Sequence, residues 1–330
     1  MREGAHANDT RPMNLGPAKP ADALVLHWTD RLPAALQPYA RLSRLDRPIG
    51  WQLLFLPCLM GIALAETQEG FWTEDLGLAM LFLVGAIAMR GAGCTWNDIL
   101  DRDIDAKVKR TALRPIPARQ VRVRGAVVWM MVQCAVGLSV LLALPRMAQI
   151  VALAAIPLVA AYPLMKRVTW WPQAWLGFCF SWGALVSVTA VRGTVTLEAV
   201  LLYAGCVAWT IAYDTIYALQ DVEDDALVGV RSTARLFGAH WRRWTTGFYI
   251  GALCLWAGAS AATGASLWTG AALGAVGALL IWPTVERVDD KSPVSALAAF
   301  KANALIGLSV AGAFALAGAW RTFAPLVGAP

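Results

Sequence analysis

Charge is scarce in this chain. Only 15% of its 330 residues are Asp, Glu, Lys or Arg, where soluble domains carry about 25%. Histidine is scarcer still. His6, His27 and His240 stand far apart in no metal-ligand spacing, and His240, in a basic loop, reads as a solvated surface residue. The six cysteines (Cys58, Cys94, Cys134, Cys179, Cys206 and Cys254) form no C-x-x-C pair and lie in or beside apolar runs. That argues against zinc or a disulfide framework and predicts packed thiols. The first residues hold no apolar core of a signal peptide. Ala, Pro and Gly with mixed charge predict a disordered polar tail over residues 1–30.

Apolar sequence fills the rest. Hydrophobic residues make up 58% of the chain, in long runs with the charges between them. Runs of about 17–25 apolar residues can cross a bilayer as helices. About nine such spans can be marked. They run roughly over 48–65, 76–94, 126–144, 147–162, 171–191, 197–219, 244–262, 267–282 and 302–320. The expected fold class is all-α: a polytopic membrane protein with one transmembrane domain over residues 31–330. The stretch LPAALQPYARLSRLDRPIG, before the first span, sets Leu and Tyr against Arg41, Arg44 and Arg47, as a short helix on the membrane surface would. Pro57 and Pro157 are expected to interrupt the first and fourth spans. Gly251, Ala252 and Gly258, and Gly270, Gly274 and Gly277, have helix-packing spacing and predict close helix contacts. Trp170, Trp171, Trp241, Trp244, Trp282 and Trp320 lie near span ends, as an interfacial belt would.

The net charge of +6 does not point to nucleic acid, because the cations sit in short loops beside apolar spans. Basic and non-basic loops alternate. Arg41, Arg44 and Arg47 precede the first span, ETQEGFWTED has no cation, and Lys107 to Arg124 hold seven. The alternation continues to the last loop, so the N-terminus is expected in the cytoplasm and the C-terminus outside. The lack of an Arg- and Ser-rich presequence points to a bacterial inner membrane.

Two acidic clusters break the apolar pattern, WNDILDRDIDAKVKRT from Trp96 and YDTIYALQDVEDD from Tyr213. If the second span continues as a helix, Asp98, Asp101 and Asp105 share one face, with Asn97 beside them and Asp103 off it. Asp214, Tyr217, Asp221 and Asp225 share a face in the second cluster, while Glu223 and Asp224 point elsewhere. Stacked carboxylates repel, and more so beside a low-dielectric bilayer, so a positive partner is needed. Oxygen-only ligands suit Mg²⁺, which prefers a few carboxylates together with water and phosphate oxygens. Lys166 and Arg167, on the same side, suit phosphate. Acids for metal, bases for phosphate and an apolar bundle for a long tail describe a prenyl diphosphate site. Solvated juxtamembrane charge and an ion pathway of a transporter are the other readings.

NDILDRDID fits the N-D-x-x-D-x-x-x-D motif of the UbiA-type intramembrane aromatic prenyltransferases, and DVEDD fits their second motif. LDRPIGWQLLFLP, KRTALRPIP and YPLMKRVTWWPQ also resemble that family, and more narrowly its 4-hydroxybenzoate polyprenyltransferase branch, of ubiquinone biosynthesis. A weak parallel between KRTALR and RSTARLFG is consistent with an old duplication. The resemblance implies a nine-helix bundle around a central cavity with a cytoplasmic cap. It implies that Asp98, Asp101, Asp105, Asp221 and Asp225 hold Mg²⁺, beside Asn97. Arg102, Lys166 and Arg167 would bind the diphosphate, and Arg47 the carboxylate of the aromatic acid. Tyr162, Tyr213 and Tyr217 are candidates to face an allylic cation, or packing aromatics, and Asp214 is a candidate base. The expected substrates are polyprenyl diphosphate and 4-hydroxybenzoate. Another acceptor (naphthoate, homogentisate or haem) is the alternative within the family.

Overall fold

The structure is a computed structural model and describes residues 27–70, 73–107, 111–265 and 267–323. Among these residues every element is helical. A short helix, α1 (Gln37–Leu42), precedes the long helices α2 (Ile49–Glu69), α3 (Thr73–Asp105) and α4 (Val123–Ala143). The fourth crossing is divided into α5 (Arg146–Leu153) and α6 (Ile156–Val168). Then follow α7 (Pro172–Arg192), α8 (Leu197–Ala218), the short α9 (Val222–Val228) and α10 (Thr233–Phe237), and α11 (Trp241–Ala262). α12 (Leu267–Val276) passes through a π-helical turn into α13 (Trp282–Glu286), and α14 (Pro293–Phe323) closes the bundle.

Local signals explain the ends. α2 stops at Gly70 (φ +81°) and α7 at Gly193 (φ +74°), where the left-handed backbone favours glycine. α7 begins with Pro172, whose missing N–H costs nothing there. Thr196 caps α8 by accepting from Ala199 N at 3.4 Å.

Among the described residues, eight helical segments are long and apolar enough to cross a membrane. The expected ninth span, at α11, is a helix of 22 residues but is not among those eight. α2 and α8 are 67% buried over their apolar windows and form the centre, α2 against α7 and α14, α8 against α7 and α11. α4 and the α5–α6 pair are only 11% buried. Val128, Met131, Leu138 and Leu142 of α4 are exposed, an apolar surface that water would not tolerate and lipid accepts.

Several expectations are corrected. Pro57 lies inside an unbroken α2, whereas Pro157 starts α6 after a break at 154–155. Of the small residues expected at helix contacts, Ala252 is buried against Gly205 and a Cβ added at Gly277 would meet Leu253 at 2.7 Å, whereas Gly251, Gly270 and Gly274 have nothing within 4 Å of an added Cβ. Another close approach falls elsewhere. At Gly318 a Cβ would lie 2.9 Å from the Glu66 backbone, so α14 and α2 touch there. Trp241 is buried in the bundle, and its indole donates to the exposed Asp290 at 3.2 Å. All six cysteines are free, but Cys254 is exposed. The proposed tail falls largely on residues 1–26, outside the described residues. Its last residues are folded: Trp28–Arg31 form a 3-10 turn, and Asp30 pairs with Arg41 at 3.7 Å.

Candidate active site

α3 continues without a break through the first acidic motif, as helical phase demands. Asp98, Asp101 and Asp105 come to one side and are all buried, Asp98 and Asp101 completely. Each is neutralised by a base from another part of the chain. Asp101 accepts from Lys166 Nζ and, at 2.9 Å, from Arg167 Nη2, both at the end of α6. Asp105 accepts from Arg114 Nη1 at 2.8 Å, and the same nitrogen reaches Asp98 at 3.2 Å. Arg114 lies in the loop after the motif, which Thr111 folds back by donating to the Asp105 carbonyl at 3.0 Å.

Asp98 is held differently. Arg44 Nη2 donates to both its oxygens, at 2.7 and 2.9 Å. Arg44 follows the end of α1 with φ +57°, and Leu45 N–H closes on the Ala40 carbonyl at 3.0 Å. This is a Schellman ending with arginine where glycine is usual. Ser43, beside it, donates to Gln133 at 3.0 Å and accepts from the Trp129 indole at 2.7 Å, which fastens α1 to α4. The surface helix is thus bolted to the acid motif.

The second cluster departs from one continuous helix. α8 ends at Ala218, a 3-10 turn covers Leu219–Asp221, and Asp225 belongs to α9. The tighter turn rotates Asp221 away from the ideal α-helical face shared by Asp214 and Tyr217. The loop that follows the second cluster nevertheless meets the end of α6. Arg231 N–H donates to the Lys166 carbonyl at 3.1 Å and its guanidinium to the Val168 carbonyl at 2.7 Å. Arg231 and Arg235 also stack on the Trp170 ring, at 5.7 and 5.4 Å. Arg235 folds back to the Asp225 carbonyl at 3.4 Å, as Arg114 folds back to Asp105, a structural echo of the weak repeat in sequence.

A second tier lies deeper. Arg90 precedes Asp98 by eight residues of α3 and Asp214 precedes Asp221 by seven, about 12 and 10 Å of helix. Asp214 feels the charges of Arg90 and Asp221, and Tyr162 those of Asp214 and Arg90. Arg90 lies over the Phe180 ring at 5.1 Å and against Gly50, where a Cβ would meet its Nε at 2.6 Å. That Nε is buried with no hydrogen-bond partner. Tyr213 and Tyr217 pack on Phe300 of α14 at 5.6 and 4.6 Å.

Not every expected residue joins the site. Asn97 is half-buried beside the trio. Arg102 is exposed, donates to the Ile99 carbonyl and pairs with Asp103 at 3.6 Å, apart from the three buried carboxylates. Arg47 pairs with Asp46 at 3.4 Å, at the entrance to α2. Three residues were overlooked. Arg44 and Arg114 read in sequence as loop charge, and Arg90 carried a signal that was missed, a lone arginine inside an apolar run.

Among the described residues, no three His, Cys, Asp or Glu side chains gather closely enough to hold a metal ion. Bases stand between the carboxylates instead. Asp101, Asp105, Asp221 and Asp225 still fit a hard cation, being oxygen donors at one end of the bundle. The bases on Asp101 are 26% and 44% exposed and can swing away. Asp98 is the most tightly held of the three, with Arg44 on both oxygens and Arg114 on one.

The family model described as UbiA prenyltransferase family matches residues 54–308. A protein of Drosophila pseudoobscura pseudoobscura named 4-hydroxybenzoate polyprenyltransferase, mitochondrial, is 45% identical over 280 residues, 84% of this chain and 70% of that one. The rat protein of that name is 46% identical over 84% of this chain and 73% of its own. The human one is 43% identical over 88% and 78%. Among solved structures, a UbiA homolog from Aeropyrum pernix K1 superposes with a TM-score of 0.61 at 23% identity, over 80% of this chain and 97% of that one. One from Archaeoglobus fulgidus, bound to GPP and Mg²⁺, superposes with a TM-score of 0.62 at 19% identity, over 86% and 99%. The last two likenesses are of fold.

Proposed function

This chain belongs to the UbiA prenyltransferase family, and from that premise we propose that it moves a polyprenyl group from an allylic diphosphate to 4-hydroxybenzoate, ortho to the hydroxyl. The products are 3-polyprenyl-4-hydroxybenzoate and diphosphate, a step of ubiquinone biosynthesis. The observation that carries the reading is the two-tier site. A rim of carboxylates and bases suits a metal-bound diphosphate, and below it lie an arginine, a carboxylate and aromatic rings.

Asp101, Asp105, Asp221 and Asp225 would hold Mg²⁺, which when bound offsets charge on the leaving diphosphate. Lys166, Arg167 and Arg114 exchange their carboxylate partners for phosphate oxygens. The allylic C–O bond breaks with its electron pair going to the diphosphate, and C1 of the prenyl group becomes cationic. Tyr213, Tyr217 and Phe300 offer ring faces toward that charge, and the apolar bundle keeps out water that would capture it. Arg90, whose buried Nε lacks a hydrogen-bond partner, joins Arg47 as a candidate for the carboxylate of the acceptor. The ring carbon attacks C1, and Asp214 accepts the ring proton.

The acidic end is proposed to face the cytoplasm, by the alternation of basic loops. The domain is proposed as single over residues 31–330, with Asp30 already tied to it through Arg41. The test is mass spectrometry of the products formed by membranes given polyprenyl diphosphate, Mg²⁺ and an equimolar mixture of 4-hydroxybenzoate, naphthoate and homogentisate. Prenylated 4-hydroxybenzoate is expected to dominate and to vanish in Asp221→Asn. Prenylation of another acceptor, or full turnover by that variant, overturns the reading.

A further inference from the structure

On the outer side of α3, away from the buried carboxylates, lies a cleft of about 510 Å³. Arg102, Arg119 and Arg122 line it over a floor of Ile116 and Val121. We propose that this cleft binds the phosphate of an anionic phospholipid at the membrane surface.

The charge is unbalanced. Asp103 is the cleft's one carboxylate, 3.6 Å from Arg102 and 82% exposed, so water screens it. Among the described residues Arg119 and Arg122 have no acidic partner. Arg119 stands at φ +57°, in a turn closed by Gln120 N–H and Val121 N–H on the Pro115 carbonyl at 2.8 and 3.0 Å. Glycine would fit that backbone better, and arginine places a guanidinium at the cleft instead. α4 begins at the same place with Arg122 as its N-cap and no side-chain cap, so its first N–H groups add positive potential.

The ligand's other half is marked by α4 itself. Val123 borders the cleft, and Val127 and Met131, one and two turns further on, are exposed. A molecule with a phosphate at the helix end and an acyl chain along this stripe matches both surfaces. A guanidinium cluster beside a lipid-facing helix is the chemistry of anionic headgroup recognition. The site is independent of the prenyl-transfer reading, since it uses none of the buried carboxylates of the two clusters.

The test uses the full chain in nanodiscs and in detergent. Binding is read by native mass spectrometry and by thermal stability with phosphatidylglycerol, with phosphatidylcholine, and with inorganic phosphate or diphosphate. The variants are Arg119→Gly, which suits the backbone, and Arg119→Gly with Arg122→Gln. Phosphatidylglycerol is expected to bind and raise the melting temperature and phosphatidylcholine is not, while any protection by phosphate or diphosphate, which the acidic site itself can take, is expected to be the same in parent and variants. The double variant should lose about tenfold or more in that affinity and melt like the parent in phosphatidylcholine. If the double variant melts early, the single variant decides, with a smaller loss of the same kind. Unchanged phosphatidylglycerol binding in the variants overturns the proposal. Equal protection by free phosphate, lost in the variants, overturns its lipid half and makes the cleft a soluble-anion site.

Discussion

Replacing Arg44 tests whether the surface helix is an ornament of the fold or part of the acid motif's foundation. Its guanidinium is 10% exposed and the Asp98 carboxylate not at all. Removing one partner of a buried pair costs about 3–5 kcal/mol, because the other charge stays buried. Two features reduce that cost. Arg114 remains 3.2 Å from Asp98 as a counter-charge. The left-handed backbone at 44 costs a side-chain-bearing residue about 1–2 kcal/mol, which glycine is spared. Arg44→Gly should therefore lose about 2–3 kcal/mol, and Arg44→Ala about 1 kcal/mol more. Glycine outranking alanine is the distinctive part. The assay is equilibrium unfolding in mixed micelles, backed by thermal melting, with both variants and the parent in one detergent. A parent-like Arg44→Gly would refute the buried pair, and a more stable Arg44→Ala would refute the strained turn.

Asp98→Asn should lower stability while leaving the Mg²⁺ concentration for half-maximal activity unchanged, whereas Asp101→Asn should cut turnover about a hundredfold or more. The activity-versus-Mg²⁺ curve of each variant separates a positioning carboxylate from a ligating one. Arg90→Gln should raise KM for 4-hydroxybenzoate about ten- to a hundredfold, with a far smaller effect on KM for the prenyl diphosphate, as loss of one charge-assisted contact predicts. Equal changes in both constants would remove Arg90 from the acceptor site. Asn303→Leu should cost about 1–3 kcal/mol in the same unfolding assay. Its Oδ1 accepts from the Trp209 indole at 2.8 Å and the Tyr249 hydroxyl at 3.0 Å, tying α8, α11 and α14 together. A variant as stable as the parent would mean that those donors find other acceptors.

Much of the site was legible one helix at a time. The spacing of Asp98, Asp101 and Asp105 needs only helical periodicity to become a face, and α3 supplies it. The 3-10 turn at Leu219–Asp221 was not legible, because nothing in LQD forbids an α-helix; the turn that leads into α9 is settled by how the chain folds back beneath α6. Arg102 was expected at the diphosphate and Arg114 read as loop charge, yet Arg102 faces the outer cleft and Arg114 two buried aspartates. Small-residue spacing held at Ala252 and Gly277 and not at Gly251, Gly270 and Gly274, for a related reason. It names residues able to allow contact, not the face a partner covers.

The linear chain by itself determined that this is a helical membrane protein with oxygen-rich chemistry at the ends of two spans. Hydropathy and helical phase are properties of neighbours in sequence, and transfer free energies act on them segment by segment. Only the tertiary structure decided which base meets which carboxylate. Asp98 and Arg44 are 54 residues apart and Asp101 and Lys166 are 65 apart. The attraction between such groups is strong only at contact distance in a dry interior, so their roles follow from packing that brings distant helices together.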